Sequence, residues 1–274
     1  MSAGQCGFDG RVILVCGVAR GGIGGATARR LAALGATVFG VDRTERLLAD
    51  TLADIGAAGG RGDGLVADLV DPGQSDGIVD AVIDRFGRLD GVANIVGGTR
   101  EGEWGPLEQV SAESFRQTVA LNLEAPFRIC RDAARSMIAR KSPAPIVNVG
   151  SISALNSAPL HGPYGAAKAG LAALTRTMAF EWARHGIRVN LVSPGAVPTE
   201  RVTAKKLTPD LLASIPETGD VVQTTADEVA QAITFLLSDA ASGISGHDLV
   251  VDSGISTRNA VLSLRMDALK TGPR

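Results

Sequence analysis

Apolar β-branched runs and amphipathic stretches take turns along most of the chain, and the switches between them fall at glycines, prolines or short polar clusters. Arg11–Cys16 (RVILVC) is continuously apolar after its first residue and stops at a glycine cluster, the pattern of a strand buried on both faces of a parallel sheet. Residues 26–35 (ATARRLAALG) have helical periodicity and end on Gly35, and Ala36–Asp42 (ATVFGVD) is a second strand closing on a carboxylate. Gly64–Ala67 leads to Asp68, Asp71–Arg85 reads as helical, and Leu89–Val96 (LDGVANIV) is a strand ending at Gly97-Gly98. A long helical region covers Ser111–Arg140, closed by Pro143 and Pro145 before Ile146–Val149 (IVNV) enters the sheet. Tyr164–Arg184 is a helix, Ile187–Val192 a strand ending at Ser193-Pro194-Gly195, Thr225–Leu237 a helix and Asp248–Asp252 a last strand. The alternation predicts one doubly wound α/β domain spanning residues 1–274, with a single parallel sheet and right-handed crossovers.

Composition narrows the function. With 274 residues, 45% of them hydrophobic, the chain can form a sizeable core, while a formal net charge of −2 and the lack of any Lys/Arg-rich run argue against nucleic acid as a partner. The apolar run near the N-terminus is only Val12–Cys16, flanked by Arg11 and Arg20, too short for a membrane span or a signal peptide, so a cytoplasmic location is expected. Cys6, Cys16 and Cys130 have no C-x-x-C spacing, and His161, His185 and His247 are scattered, which predicts neither a disulfide framework nor a metal site.

Two stretches carry chemistry. The first is Gly17-Val18-Ala19-Arg20-Gly21-Gly22-Ile23-Gly24-Gly25, between a strand and a helix. Glycines there remove the Cβ atoms that would keep backbone N–H groups and the helix N-terminus from a pyrophosphate, and Asp42 is placed to accept hydrogen bonds from an adenosine ribose. The second is Gly162–Thr175 (GPYGAAKAGLAALT), where Tyr164 and Lys168 stand four apart in a helical composition and so project from one face. A phenol has an ordinary pKa near ~10, and a neighbouring ammonium favours the phenolate, which suits proton transfer. Tyr164 is the chain's single tyrosine.

Taken in order, these motifs resemble those of the short-chain dehydrogenase/reductase family over roughly Asp9 to Ser256. The series is the glycine turn, Asp42, Asp68, Asn94 to Gly97, Asn122 in LNLEAPF, Ser151 in IVNVGS, Tyr164 with Lys168, Pro194-Gly195 through Thr199, and the closing VVDSG. The resemblance implies a Rossmann fold with about seven parallel strands and helices on both faces. It implies Tyr164 as general acid/base and Lys168 as the group that lowers the tyrosine pKa and binds the nicotinamide ribose. Ser151 would hold the substrate oxygen, and Asn122 would belong to a water-mediated proton relay behind the lysine. Cofactor contacts would come from Gly17, Arg20, Gly22, Ile23, Gly24, Asp42, Arg43, Asp68, Leu69, Asn94, Gly97, Tyr164, Lys168, Pro194, Gly195, Val197 and Thr199, and a substrate pocket from Gly98, Trp104, Ser153, Asn156 and His161. Surface loop positions are an equally good reading of Trp104, Ser153, Asn156 and His161. Three positions depart from the family pattern: the glycine turn is one residue longer between Gly17 and Gly24, Cys16 replaces a threonine, and Ile95 stands where a second asparagine is usual.

Asp42 points to NAD over NADP, because its carboxylate would repel a 2′-phosphate; Arg20 and Arg43 pull the other way, and the carboxylate is taken as decisive. The pocket loops carry Trp104, Leu155, Leu160, Val202, Leu207, Leu211 and Leu212, an apolar set suited to an uncharged secondary alcohol or ketone, cyclic ones included. Thr199–Gly219 is expected to be a lid, and Thr257–Arg274 a tail beyond the last family strand. The alternatives are an NADPH-preferring reductase of a 3-oxoacyl thioester and a non-catalytic cofactor sensor. The resemblance also suggests a homotetramer or homodimer formed through the two long helices and the last strand.

Overall fold

The computed structural model of the chain describes residues 7–99, 104–198 and 223–257. The expected lid at 199–219 with Thr199, and the tail from 258 onward, lie outside the described residues. Seven strands form one sheet in the order β3-β2-β1-β4-β5-β6-β7: β1 Val12–Cys16, β2 Thr37–Asp42, β3 Arg61–Val66, β4 Gly91–Asn94, β5 Ile146–Val149, β6 Val189–Pro194 and β7 Asp248–Val251. Every neighbouring pair is parallel. The chain runs outward from β1 to β3 and then returns to place β4 on the other side of β1. That reversal opens a crevice at the carboxyl ends of β1 and β4.

The helices are α1 Ile23–Ala33, α2 Glu45–Ala57, α3 Pro72–Ser75, α4 Ile78–Phe86, α5 Ala112–Val119, α6 Ala125–Arg140, α7 Gly162–Trp182 and α8 Ala226–Leu237. Side-chain alternation along β1 explains why its sequence is apolar throughout. Val12, Leu14 and Cys16 enter the core under α4, α6 and the C-terminal half of α7, while Ile13 and Val15 enter the opposite core under α1, α2 and α8. Helix α8 opens on a reciprocal capping box, with the Thr225 side chain accepting from the Glu228 N–H and the Glu228 carboxylate accepting from the Thr225 N–H.

Several elements differ from the pattern-based expectation. The helical stretch 71–85 is broken between α3 and α4, because Gly77 sits at φ +87°, outside helical space. The region 111–140 is continuous only through a π-turn, Ala120–Glu124, that joins α5 to α6. Pro126, at the start of α6, has no N–H to continue the i→i−4 ladder there. Helix α2 was not marked by the pattern, since its buried face is only Leu48, Thr51 and Ile55. Strand β3 begins at Arg61 rather than Gly64: as an edge strand it is held by one neighbour and tolerates the polar residues Arg61 and Asp63. Strand β6 is likewise shifted by two residues, to end on Pro194.

Strand β1 and helix α1 meet backbone against backbone. Gly17 adopts φ +87°, and a Cβ on Gly24 would lie 1.7 Å from the Gly17 carbonyl oxygen. Gly24→Ala is therefore expected to cost more than about 3 kcal/mol and to deplete folded protein. Gly56→Ala, at an open position inside α2 with nothing within 4 Å of the added methyl, should instead stabilise by up to about 1 kcal/mol. Thermal melts of the two variants check the contrast, and similar melting temperatures would contradict it.

Candidate functional site

The glycine turn resolves its extra residue by pushing it outward. The Ala19 carbonyl accepts from the N–H groups of both Gly22 (3.0 Å) and Gly25 (3.2 Å), so Arg20 and Gly21 loop into solvent while Gly22 caps α1 in an extended conformation. A Cβ on Gly25 would come within 2.6 Å of the Ala19 and Arg20 carbonyl oxygens, which makes Gly25 a requirement of the turn that the motif comparison missed. Ala26 N–H is bonded to the Gly22 carbonyl, leaving Ile23 and Gly24 to present the N–H groups of the first turn, with no side-chain cap, at the crevice. Backbone packed this closely, in front of an uncapped helix start, fits a pyrophosphate. Arg20 is turned away from the crevice toward α2: its guanidinium pairs with Asp54 at 2.8 Å, and Arg29 ties both the Arg20 carbonyl (3.1 Å) and Asp54 (3.4 Å).

Asp42 ends β2 half-buried, with Arg43 beside it on the exposed surface. Burial raises its carboxyl above the usual range, partly offset by the backbone N–H groups of Thr44 and Arg43 and by the Arg43 charge. Asp68 accepts from the Val70 N–H at 3.0 Å, and Gln74 accepts from the Asp68 N–H at 3.0 Å. Leu69 is buried, and its carbonyl is held at 2.5 Å by the buried guanidinium of Arg128, which also reaches the Val70 carbonyl at 3.2 Å. Arg128 lies 59 positions from Leu69, and no sequence motif marks it. At the other end of the crevice, Pro194 ends β6, the Gly195 N–H bonds the Val251 carbonyl at 2.9 Å, and Val197 is buried.

The Asn94 side chain points into the core, donating to the Pro126 carbonyl at 2.9 Å, so only its backbone faces the crevice neighbourhood. Behind it Cys130 donates to Asn148 (3.2 Å), which donates to Thr175 (3.1 Å). Burial raises the thiols of both Cys16 and Cys130, the latter to about 12, so neither ionises near neutral pH. Asn122, in the π-turn, grips the chain after β4 at two points, its Oδ1 accepting from the Gly98 N–H at 2.8 Å and its amide donating to the Gly98 carbonyl at 2.9 Å; the amide also donates to the Thr118 carbonyl of α5 at 3.0 Å. The Asn122 side chain thereby anchors the loop after β4 to the turn between α5 and α6.

The Tyr164 ring and the Lys168 ammonium, one turn apart on α7, are 5.8 Å apart from ring centroid to Nζ. Lys168 is buried, and its ammonium donates to the Val149 carbonyl at 2.8 Å. Gly97 makes the room: a Cβ there would lie 2.8 Å from the Lys168 Nζ and 2.9 Å from the Asn122 Oδ1. Burial alone lowers the lysine from 10.5 to about 7. Ser151, buried at the end of β5, accepts from the Ser153 N–H at 3.1 Å, which leaves its own O–H to donate. Trp104, Ser153 and His161 gather beside them: the His161 ring stands 4.3 Å from the Trp104 ring and 5.8 Å from the Tyr164 ring, and its Nε2 is 3.1 Å from the Ser153 Oγ. Asn156 is exposed, and its side chain bonds none of them.

A parallel sheet whose strand order reverses beside β1, with a glycine cradle between β1 and α1, has the architecture of a dinucleotide-binding fold. The sequence model of the family described as Enoyl-(Acyl carrier protein) reductase matches residues 17–256. D-threitol dehydrogenase of Mycolicibacterium smegmatis is 35% identical over 253 residues, 92% of this chain and 95% of that protein. The 3-oxoacyl-(acyl-carrier-protein) reductase of Escherichia coli is 33% identical over 90% of this chain and 98% of its own length. A short-chain type dehydrogenase/reductase from Mycobacterium ulcerans superposes with a TM-score of 0.83 at 32% identity, covering 97% of this chain and 99% of its own. The chain belongs to the short-chain dehydrogenase/reductase family, enzymes that bind NAD(P) and interconvert alcohols and ketones. No helix among the described residues is long and apolar enough to cross a membrane.

The lowered lysine gives a pH signature. Between pH 7 and 10.5 the unfolded chain holds the Lys168 proton more tightly than the folded one, so the folded state gains stability as pH rises through that window. Without cofactor, the wild type should gain up to about 3 kcal/mol relative to Lys168→Met on going from about pH 7 to 9.5, at ~1.36 kcal/mol per pKa unit. Denaturant melts of both proteins at the two pH values check this, and a constant difference would contradict a buried, proton-poor lysine.

Proposed function

We propose that the protein is an NAD-dependent dehydrogenase or ketone reductase acting on uncharged, mostly apolar secondary alcohols and ketones, with Ser151, Tyr164 and Lys168 at the reacting oxygen. The observation that carries this reading is the buried Lys168 ammonium beside the Tyr164 ring, donating to the Val149 carbonyl. A desolvated cation of this kind stabilises an anion formed next to it, and the phenolate of Tyr164 is that anion. Tyr164 takes the hydroxyl proton of an alcohol during oxidation and returns it to the oxygen during reduction. Ser151 donates its O–H to the same oxygen as charge develops on it. A bound nicotinamide dinucleotide accepts or supplies the hydride at the neighbouring carbon. Asn122, by gripping Gly98, positions the Gly97 backbone against the lysine rather than meeting the substrate itself.

For the cofactor, the Ile23 and Gly24 N–H groups would receive the pyrophosphate, the Asp68–Leu69 segment the adenine, and the chain from Pro194 to Val197 the nicotinamide end. Asp42 favours NAD: its half-buried carboxylate, compensated only in part by the Thr44 and Arg43 N–H groups, can take further donors from ribose hydroxyls, which a 2′-phosphate does not supply. The Arg20–Asp54 pair supports the same choice, since the turn's guanidinium is already engaged. Arg43 remains the group that would favour NADP. A 3-oxoacyl thioester reductase is the second reading, favoured by the similarity to the Escherichia coli enzyme.

Initial rates with the two oxidised cofactors should favour NAD clearly, and an NADP preference would refute the role given to Asp42. Tyr164→Phe should lower kcat by about a hundredfold or more while leaving the Kd for NAD within about threefold. Unchanged turnover would point to another proton carrier.

We further propose a homo-oligomer built on α6 and α7, supported by Phe180, which stands 85% exposed on α7. Phe180→Asp should lower the oligomeric mass seen by light scattering; an identical mass would count against that face.

A further inference from the structure

We propose that Ser153 and His161 form a second subsite that reads a hydroxyl group near the reacting carbon, making diols and hydroxy ketones the substrate class; the inference rests on the Ser151–Tyr164 reading above. His161 Nδ1 lies 2.8 Å from the Pro159 carbonyl, an oxygen that can only accept, so Nδ1 carries the proton. In the neutral ring Nε2 is then the acceptor, and the Ser153 hydroxyl, 3.1 Å away, donates to it. With its one proton committed, the Ser153 Oγ offers only lone pairs to anything else. It can accept from a substrate hydroxyl, and it repels a carbonyl, ether or carboxylate oxygen.

The subsite is built rather than incidental. Leu160, immediately before His161, is held at φ +66°, a left-handed conformation unfavourable for a leucine, and its carbonyl accepts from the Gly105 N–H at 2.7 Å. That clasp joins the two loops that bring the Trp104 and His161 rings to 4.3 Å, and the Trp104 N–H is itself fixed on the Thr99 hydroxyl at 2.9 Å. The Ser153 N–H sits 3.1 Å from the Ser151 Oγ, so the two serine oxygens are at most about 7 Å apart, within reach of two oxygens on neighbouring carbons that each bond one of them. The Trp104 and His161 rings supply an apolar wall on which the carbon skeleton can lie.

The test compares trans-cyclohexane-1,2-diol, cyclohexanol and trans-2-methoxycyclohexanol with NAD and with NADP. The wild type should favour the diol in kcat/KM by about tenfold or more over both other alcohols. Ser153→Ala, which keeps the Ser153 N–H on Ser151, and His161→Phe, which keeps a ring against Trp104, should each shrink that preference to within about threefold, through KM rather than kcat. Equal use of the three alcohols by the wild type overturns the subsite alone, as does a preference that survives both substitutions. No turnover of any of them with either dinucleotide overturns the dehydrogenase reading beneath it, and the subsite with it.

Discussion

A lysine ammonium held out of water is the constraint around which the ends of β4 and β5 and helix α7 are arranged. Lys168 satisfies one donor on the Val149 carbonyl at the end of β5, and the remaining desolvation is left standing, with its pKa brought down to about 7. Three separate pieces of chain make that burial possible. Gly97 lacks the Cβ that would collide with the ammonium, Asn122 locks the backbone beside it through Gly98, and α7 sets Tyr164 one turn before the lysine. An uncompensated buried cation is a cost in the resting fold. It becomes useful only when a negative charge develops next to it, which is why strain of this kind belongs at a reaction centre.

The cofactor side uses close approach instead of charge. Gly17, Gly24 and Gly25 bring strand, turn and helix into backbone contact, and the charged residues of the turn neutralise each other away from the crevice through Arg20, Arg29 and Asp54. The extra residue of the turn is absorbed as an exposed bulge, so lengthening the loop leaves the glycine contacts intact. Arg128 plays a comparable supporting part for the Asp68–Leu69 segment: a buried guanidinium on α6 fixes the carbonyls of that loop and so aims its remaining backbone groups.

Much of this was legible along the chain. Unbroken apolar runs marked most of the central strands, because a parallel strand is buried on both faces; the four-residue spacing of Tyr164 and Lys168 put them on one helical face, because the α-helix repeats near 3.6 residues. Elements whose stability comes from a single neighbour were harder to see. Strand β3 is polar and paired on one side, and α2 buries only three side chains, so neither leaves a strong periodic signal.

The sequence by itself determined the alternation of strands and helices and the doubly wound sheet, and it singled out Ser151, Tyr164 and Lys168 as candidates, since these follow from local periodicity and from motifs in a readable order. Only the tertiary structure decided which way the polar groups face. Asn94 turns into the core, Asn122 grips a loop, Arg20 pairs with Asp54, and Ser153 pairs with His161. Each of those outcomes is a choice among hydrogen-bond partners distant along the chain, and a partner 24 or 34 positions away is set by packing, which no local pattern encodes.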